Sequence, residues 1–79
     1  MITDSKSLGL AIRQQRKSMG LTQLDAAGLC GVGERFLSEL ERGKKSAELG
    51  KVLQVLRRLG LGLILSGQNT MPNGNYDRT

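Results

Sequence analysis

The chain has 79 residues, enough for one small domain and near the size at which a single core is only marginally stabilising. Pairing of two copies is therefore expected as a source of buried area. Twelve Lys and Arg against seven Asp and Glu give a formal charge of +5, which suits an anionic partner, either nucleic acid or a membrane surface. With Phe36 and Tyr76 as the only aromatic residues, binding by base stacking is disfavoured. No apolar run approaches a membrane span, and residues 1–20 lack the apolar core of a signal peptide. Histidine is absent, and the lone Cys30 excludes an internal disulfide and fits a reducing cytoplasm.

Residues 1–6 are polar and read as a flexible amino terminus. From Ser7 the pattern turns helical. Leu8, Ala11, Ile12, Gln15 and Met19 fall on one side, Lys6, Arg13 and Lys17 on the other, and Gly20 closes the helix. The cations read either as a solvated face or as phosphate contacts. Thr22 is a good N-cap for a second helix whose first turn is Gln23, Leu24 and Asp25. Leu24, Ala27 and Cys30 share an inward face at three-residue spacing, and Gly31 ends that helix. A third helix from Gly33 to about Arg42 points Leu37 and Leu40 inward and stops at Gly43. Its opposite face carries Arg35, Ser38 and Glu39, with Glu34 at the rim. Two short helices around a glycine turn, the second polar and solvent-facing, form the layout of a DNA-reading helix-turn-helix.

After the basic connector Lys44-Lys45-Ser46, a fourth helix is expected from about Ala47 to Leu59. It turns Leu49, Val52, Leu53, Leu56 and Leu59 inward and Lys51, Arg57 and Arg58 outward, and Gly60 ends it. Leu61-Gly62-Leu63-Ile64-Leu65 is too short for another helix and reads as a strand. No other segment offers it a partner, so antiparallel pairing with the same segment of a second copy across a two-fold axis is the economical arrangement. The other reading is an apolar tail that covers the core without pairing. Residues 66–79 are polar and rich in Asn and Gly, and read as a flexible tail.

The stretch Leu21–Gly43 resembles a known family. Leu21-Thr22-Gln23, Ala27, the turn Gly31-Val32, Leu37, Leu40 and the closing Glu41-Arg42-Gly43 are similar to the helix-turn-helix of lambda-repressor/Cro-like (XRE) regulators. The chain departs at Gly33, where the family usually caps the recognition helix with Ser or Thr, and at Cys30, where an aliphatic residue is usual. Glycine for serine as a cap costs only a few tenths of a kcal/mol. The resemblance implies an all-α, lambda-repressor-like four-helix domain over residues 7–65, its C-terminal strand pairing across a dimer. It also implies an ion pair between Arg16 and Glu41 that braces the first helix against the recognition helix. With the ending Gly50 to Leu65, the likeness extends to HipB-type antitoxins. That implies a homodimeric repressor that binds and neutralises a HipA-type Ser/Thr kinase toxin and represses the shared operon.

Reading a major groove requires donors and acceptors that reach base edges from one helix face. Arg35 is the first candidate, since a guanidinium can engage guanine O6 and N7 together. Glu39 and Glu34 could accept from a cytosine amino group and reject other sequences; alternatively they form a solvent-exposed charge cluster with Arg35. Ser38 is suited to a base or a phosphate, and Phe36 to packing or a thymine methyl. Phosphate contacts fall to Thr22 and Gln23 at the start of the second helix and to Arg42 and Lys44 beyond the third, with Lys45 solvated. Gln23, Arg42 and Lys44 are assigned on the family likeness. Double-stranded, palindromic operator DNA is thus the expected ligand, with no membrane partner. No enzyme, metal or cofactor is expected, because metal-ligand spacing is absent and Gly28, Gly31 and Gly33 do not follow a strand. Free-standing phage- or restriction-modification-type regulators, and interaction modules that do not read DNA, fit the same pattern.

Overall fold

The computed structural model describes residues 2–64, so the expected tail at 66–79 and Leu65 lie outside the described residues. Four helices follow in order: α1 Ser5–Ser18, α2 Gln23–Cys30, α3 Glu34–Glu41 and α4 Leu49–Arg58. α1 begins two residues before the expected Ser7. The Asp4 carboxylate accepts from the Ser7 amide at 2.8 Å while Ser7 Oγ accepts from the Asp4 amide at 3.1 Å, a reciprocal capping box. α2 starts on Thr22, whose Oγ1 accepts from the Asp25 amide at 3.0 Å. α3 starts on Gly33 with no side-chain cap.

All four helices end in one way. Gly20, Gly31, Gly43 and Gly60 have positive φ, and the residue after each donates its amide back to a carbonyl five residues earlier. At three of these ends that residue is apolar, and Leu21, Val32 and Leu61 fold back onto the core. At the end of α3 it is Lys44.

Ile12, Ala26, Ala27, Cys30, Leu37, Leu40, Val52, Val55, Leu56 and Leu59 form the core. α1 packs across α3, and α2 lies against both α3 and α4. Several residues expected inside are outside. Leu24 is 64% exposed, and its place is taken by Ala26. Positions three apart on a helix precess by roughly 60° per step, so a run of three-residue steps leaves the core face. The face that α2 does bury is Ala26, Ala27 and Cys30, with Gln23 half-buried beside it. Met19 is exposed at the C-cap of α1. α4 begins at Leu49 rather than Ala47, and Leu49 and Leu53 share an exposed flank while Val55 takes the core position.

Gly9 and Gly43 allow α1 to lie close on the end of α3. A Cβ at Gly9 would overlap the Leu40 carbonyl oxygen and lie 2.7 Å from that of Glu41. A Cβ at Gly43 would lie 2.9 Å from Lys6 Cα. Among the described residues no strand forms, and Leu61–Ile64 run on from α4 without regular structure. A strand that pairs only across a two-fold axis has no partner within one chain. Leu61, expected in that strand, packs on its own core, whereas Leu63 and Ile64 point outward.

Candidate nucleic-acid interface

A buried polar network fixes the back of α3. Arg16 Nε donates to Glu41 Oε2 at 2.7 Å and Nη2 donates to Oε1 at 2.9 Å, a bidentate pair. Arg16 Nη1 donates to the Leu21 carbonyl at 2.8 Å, and Gln23 Nε2 donates to Glu41 Oε1 at 3.1 Å. One carboxylate therefore ties α1, the start of α2 and the end of α3 together. Burial alone would raise the Glu41 pKa, but the hydrogen bonds from Arg16 and Gln23 outweigh it and hold the carboxyl below the usual range. The hydrogen bonds that Arg16 donates to Glu41 raise the Arg16 pKa further still. No buried side-chain polar atom among the described residues lacks a partner.

With Glu41 facing inward, the opposite side of α3 meets solvent. The Arg35 side chain is 91% exposed, Glu34 is exposed, and Ser38 and Glu39 are half-buried. Glu39 is not a free acceptor. Its Oε1 takes a hydrogen bond from Lys44 Nζ at 3.0 Å, and its Oε2 takes one from Arg35 Nε at 3.3 Å. These contacts, with Lys44 the stronger, lower the Glu39 pKa. The structure thus brings Arg35, Glu39 and Lys44 into one chain of charges. Glu34 has no ion-pair partner among the described residues.

Thr22 and Gln23 sit at the start of α2. The Thr22 hydroxyl accepts from the Asp25 amide, and among the described residues the amides of Gln23 and Leu24 meet no acceptor, as expected of a first turn. One Gln23 amide hydrogen is committed to Glu41, and the other has no partner among the described residues. Arg42 is exposed at the far end of α3, and Lys45 is exposed just beyond it. Phe36 is half-buried against the core with Lys51 Nζ 5.7 Å from its ring centroid, which gives it a packing role between α3 and α4. Cys30 is fully buried, and burial raises its thiol pKa, so it behaves as a small core residue.

Three features of this surface have faint sequence signals or none. The capping box was visible as Asp4 followed by Ser7. The close approach at Gly9 was signalled only by a glycine inside a helical pattern. The Lys44–Glu39 contact crosses the turn at Gly43 and has no periodic signature.

Comparison with known proteins places this geometry. Residues 12–65 match the helix-turn-helix family. The chain is 48% identical over 56 residues to the uncharacterized HTH-type transcriptional regulator y4mF of Sinorhizobium fredii, covering 71% of this chain and 74% of that one. Its fold is similar to HipB in a HipB–O4 20mer complex, with a TM-score of 0.77 and 24% identity over 86% of this chain and 96% of that chain. A chain of a HipA–HipB–O2–O3 complex matches to the same degree. The restriction-modification controller C.AhdI of Aeromonas hydrophila matches with a TM-score of 0.66 and 27% identity over 75% of this chain and 86% of that chain. A braced, outward-facing α3 behind a glycine turn, carried by a sequence that matches along most of its length, makes this chain a member of the XRE-type helix-turn-helix family of DNA-binding transcription regulators.

Proposed function

We infer that two copies of this chain lay α3 into successive major-groove turns of a palindromic operator, about 34–36 Å apart, and repress the adjacent gene in the cytoplasm. The observation that carries this reading is the exposed Arg35 on a helix held from behind by the bidentate Arg16–Glu41 pair. Arg35 and Ser38 face base edges, with Glu34 and Glu39 as the acceptors beside them. Thr22, Gln23, Arg42 and Lys44 meet phosphates and set the register. Exposed Leu49, Leu53, Leu63 and Ile64 support pairing of two copies through the segment that includes Leu61, Leu63, Ile64 and Leu65. Selection from a randomised duplex library tests the reading. The expected product is a two-fold-symmetric site bound far more tightly than scrambled duplex, with affinity falling steeply in salt. Equal binding to both duplexes would instead identify an interaction module that does not read DNA.

The regulator is further read as the antitoxin of a HipA-type Ser/Thr kinase. HipB matches over more of this chain than C.AhdI does, which supports that assignment. Co-expression with a kinase encoded beside the gene should give a stable complex and relief of kinase toxicity. The second reading is a free-standing regulator, and the higher identity to C.AhdI favours it. A neighbouring kinase that neither binds nor is neutralised would establish that second reading.

A further inference from the structure

Glu39 holds two cations that the DNA reading assigns to different tasks. Arg35 Nε lies 3.3 Å from one of its oxygens and Lys44 Nζ lies 3.0 Å from the other. The Lys44 backbone is tied to the same residue, its amide donating to the Glu39 carbonyl at 3.1 Å. Glu39 is therefore anchored at the foot of a charge chain whose two outer members are far more exposed than it is, at 91% and 48% against 26%.

We propose that Glu39 is the specificity-determining residue of this surface, an internal competitor for the base-reading Arg35 and the phosphate-binding Lys44. A duplex gains both cations only by displacing them from Glu39. Any duplex offers a phosphate to Lys44, but only a matching one offers Arg35 a guanine edge and offers the released carboxylate a donor such as a cytosine amino group. On a mismatched duplex the carboxylate is left facing a polyanion without a partner, which is repulsive. The basic residues alone would bind all sequences, because phosphate attraction carries no sequence information. Glu39 converts part of that attraction into discrimination. Glu48, an exposed glutamate at the start of α4 that holds neither cation and lies outside the proposed DNA surface, carries the same charge and serves as the control.

This inference rests on the DNA-binding reading, and the test separates the two. The wild-type chain, Glu39→Gln and Glu48→Gln are titrated by fluorescence anisotropy against a duplex recovered from a randomised library and against its scrambled form, over a range of salt. Circular dichroism verifies that each variant is folded. The expected result for Glu39→Gln is tighter binding to the scrambled duplex and a fall of about tenfold in the ratio of selected to scrambled affinity, the size of one lost base contact. Glu48→Gln, which removes the same charge away from that surface, should move the ratio much less. In a Lys44→Gln background, Glu39→Gln should tighten scrambled binding less than it does in wild type, because one competing cation is gone. A Glu39→Gln ratio equal to that of wild type, or equal shifts from the two glutamates, overturns the proposal and leaves DNA reading intact. A wild-type protein that does not separate selected from scrambled duplex overturns the reading on which it rests.

Discussion

Replacing Gly9 with alanine tests whether the close contact of α1 on α3 positions the recognition helix. Two effects oppose each other. Alanine in a helix interior is favoured over glycine by about 1 kcal/mol. Against this, the added Cβ would overlap the Leu40 carbonyl oxygen and lie 2.7 Å from the Glu41 carbonyl oxygen and 2.9 Å from its carbon. These are backbone atoms and cannot rotate away. α1 has to back off, at an overpacking cost of about 1–3 kcal/mol. The shift also stretches the Arg16–Glu41 bonds, which now stand at 2.7 and 2.9 Å. Clash and stretch together outweigh the propensity gain, leaving Gly9→Ala less stable by roughly 1–2 kcal/mol. At about 4–8 °C per kcal/mol, the melting temperature falls by roughly 5–15 °C. Gly28→Ala is the matched control, since a Cβ at that helical position meets nothing within 4 Å. It should raise the melting temperature by several degrees, on the order of 0.5–1 kcal/mol. Thermal melts followed by circular dichroism compare the two directly. If Gly9→Ala stabilises the protein as Gly28→Ala does, the contact is not tight and the argument fails.

Further expectations concern the buried pair and the two proposed interfaces. Arg16→Met alone should cost about 3–5 kcal/mol in urea unfolding, because it leaves Glu41 buried without its cation, while Arg16→Met with Glu41→Leu should recover most of that loss. Equal losses in the single and double variants would refute the assignment. Because the folded Glu41 pKa lies below its ordinary value, its contribution is fully present above the unfolded pKa and is lost as pH falls through the folded one. The urea midpoint should therefore drop across the acid range, with a shallower drop in Glu41→Gln; parallel curves would show that another carboxylate governs acid stability. Arg35→Ala should lower affinity for the selected duplex by about 1–3 kcal/mol and leave scrambled binding nearly unchanged. Equal losses on both duplexes would mean that Arg35 meets only phosphate. Leu63→Lys should give monomers in sedimentation velocity, and an unaltered dimer would remove that segment from the interface.

The parts of the fold legible in the sequence are those governed by local chemistry. Glycines stop all four helices near the expected places, and Thr22 starts α2, because caps and left-handed turns depend on a few adjacent residues. The face of a short helix was less legible. α2 has eight residues, and the spacing of Leu24 from Ala27 points it inward only if the angular drift of three-residue steps is ignored. Leu49 and Leu53 mislead in another way, since an apolar residue can also sit on an exposed flank. The Arg16–Glu41 contact joins residues 25 apart, so periodicity could not have found it; the family resemblance named both partners. That likeness gives Gln23 to phosphate, yet one of its amide hydrogens is held by Glu41, a tertiary contact to which local pattern is blind. The same holds for Glu39, whose capture by Lys44 depends on how the chain turns at Gly43.

The seating of Gly43 against Lys6 bears on how this protein can be handled. The chain enters α1 beside the end of α3, with Lys6 against Gly43, so anything fused ahead of Asp4 is attached at the end of the domain that carries that turn. On the proposed DNA-binding reading, a bulky or acidic amino-terminal tag beside that turn would lower affinity without any change in the site itself. Labels for binding work belong at the other end of the chain.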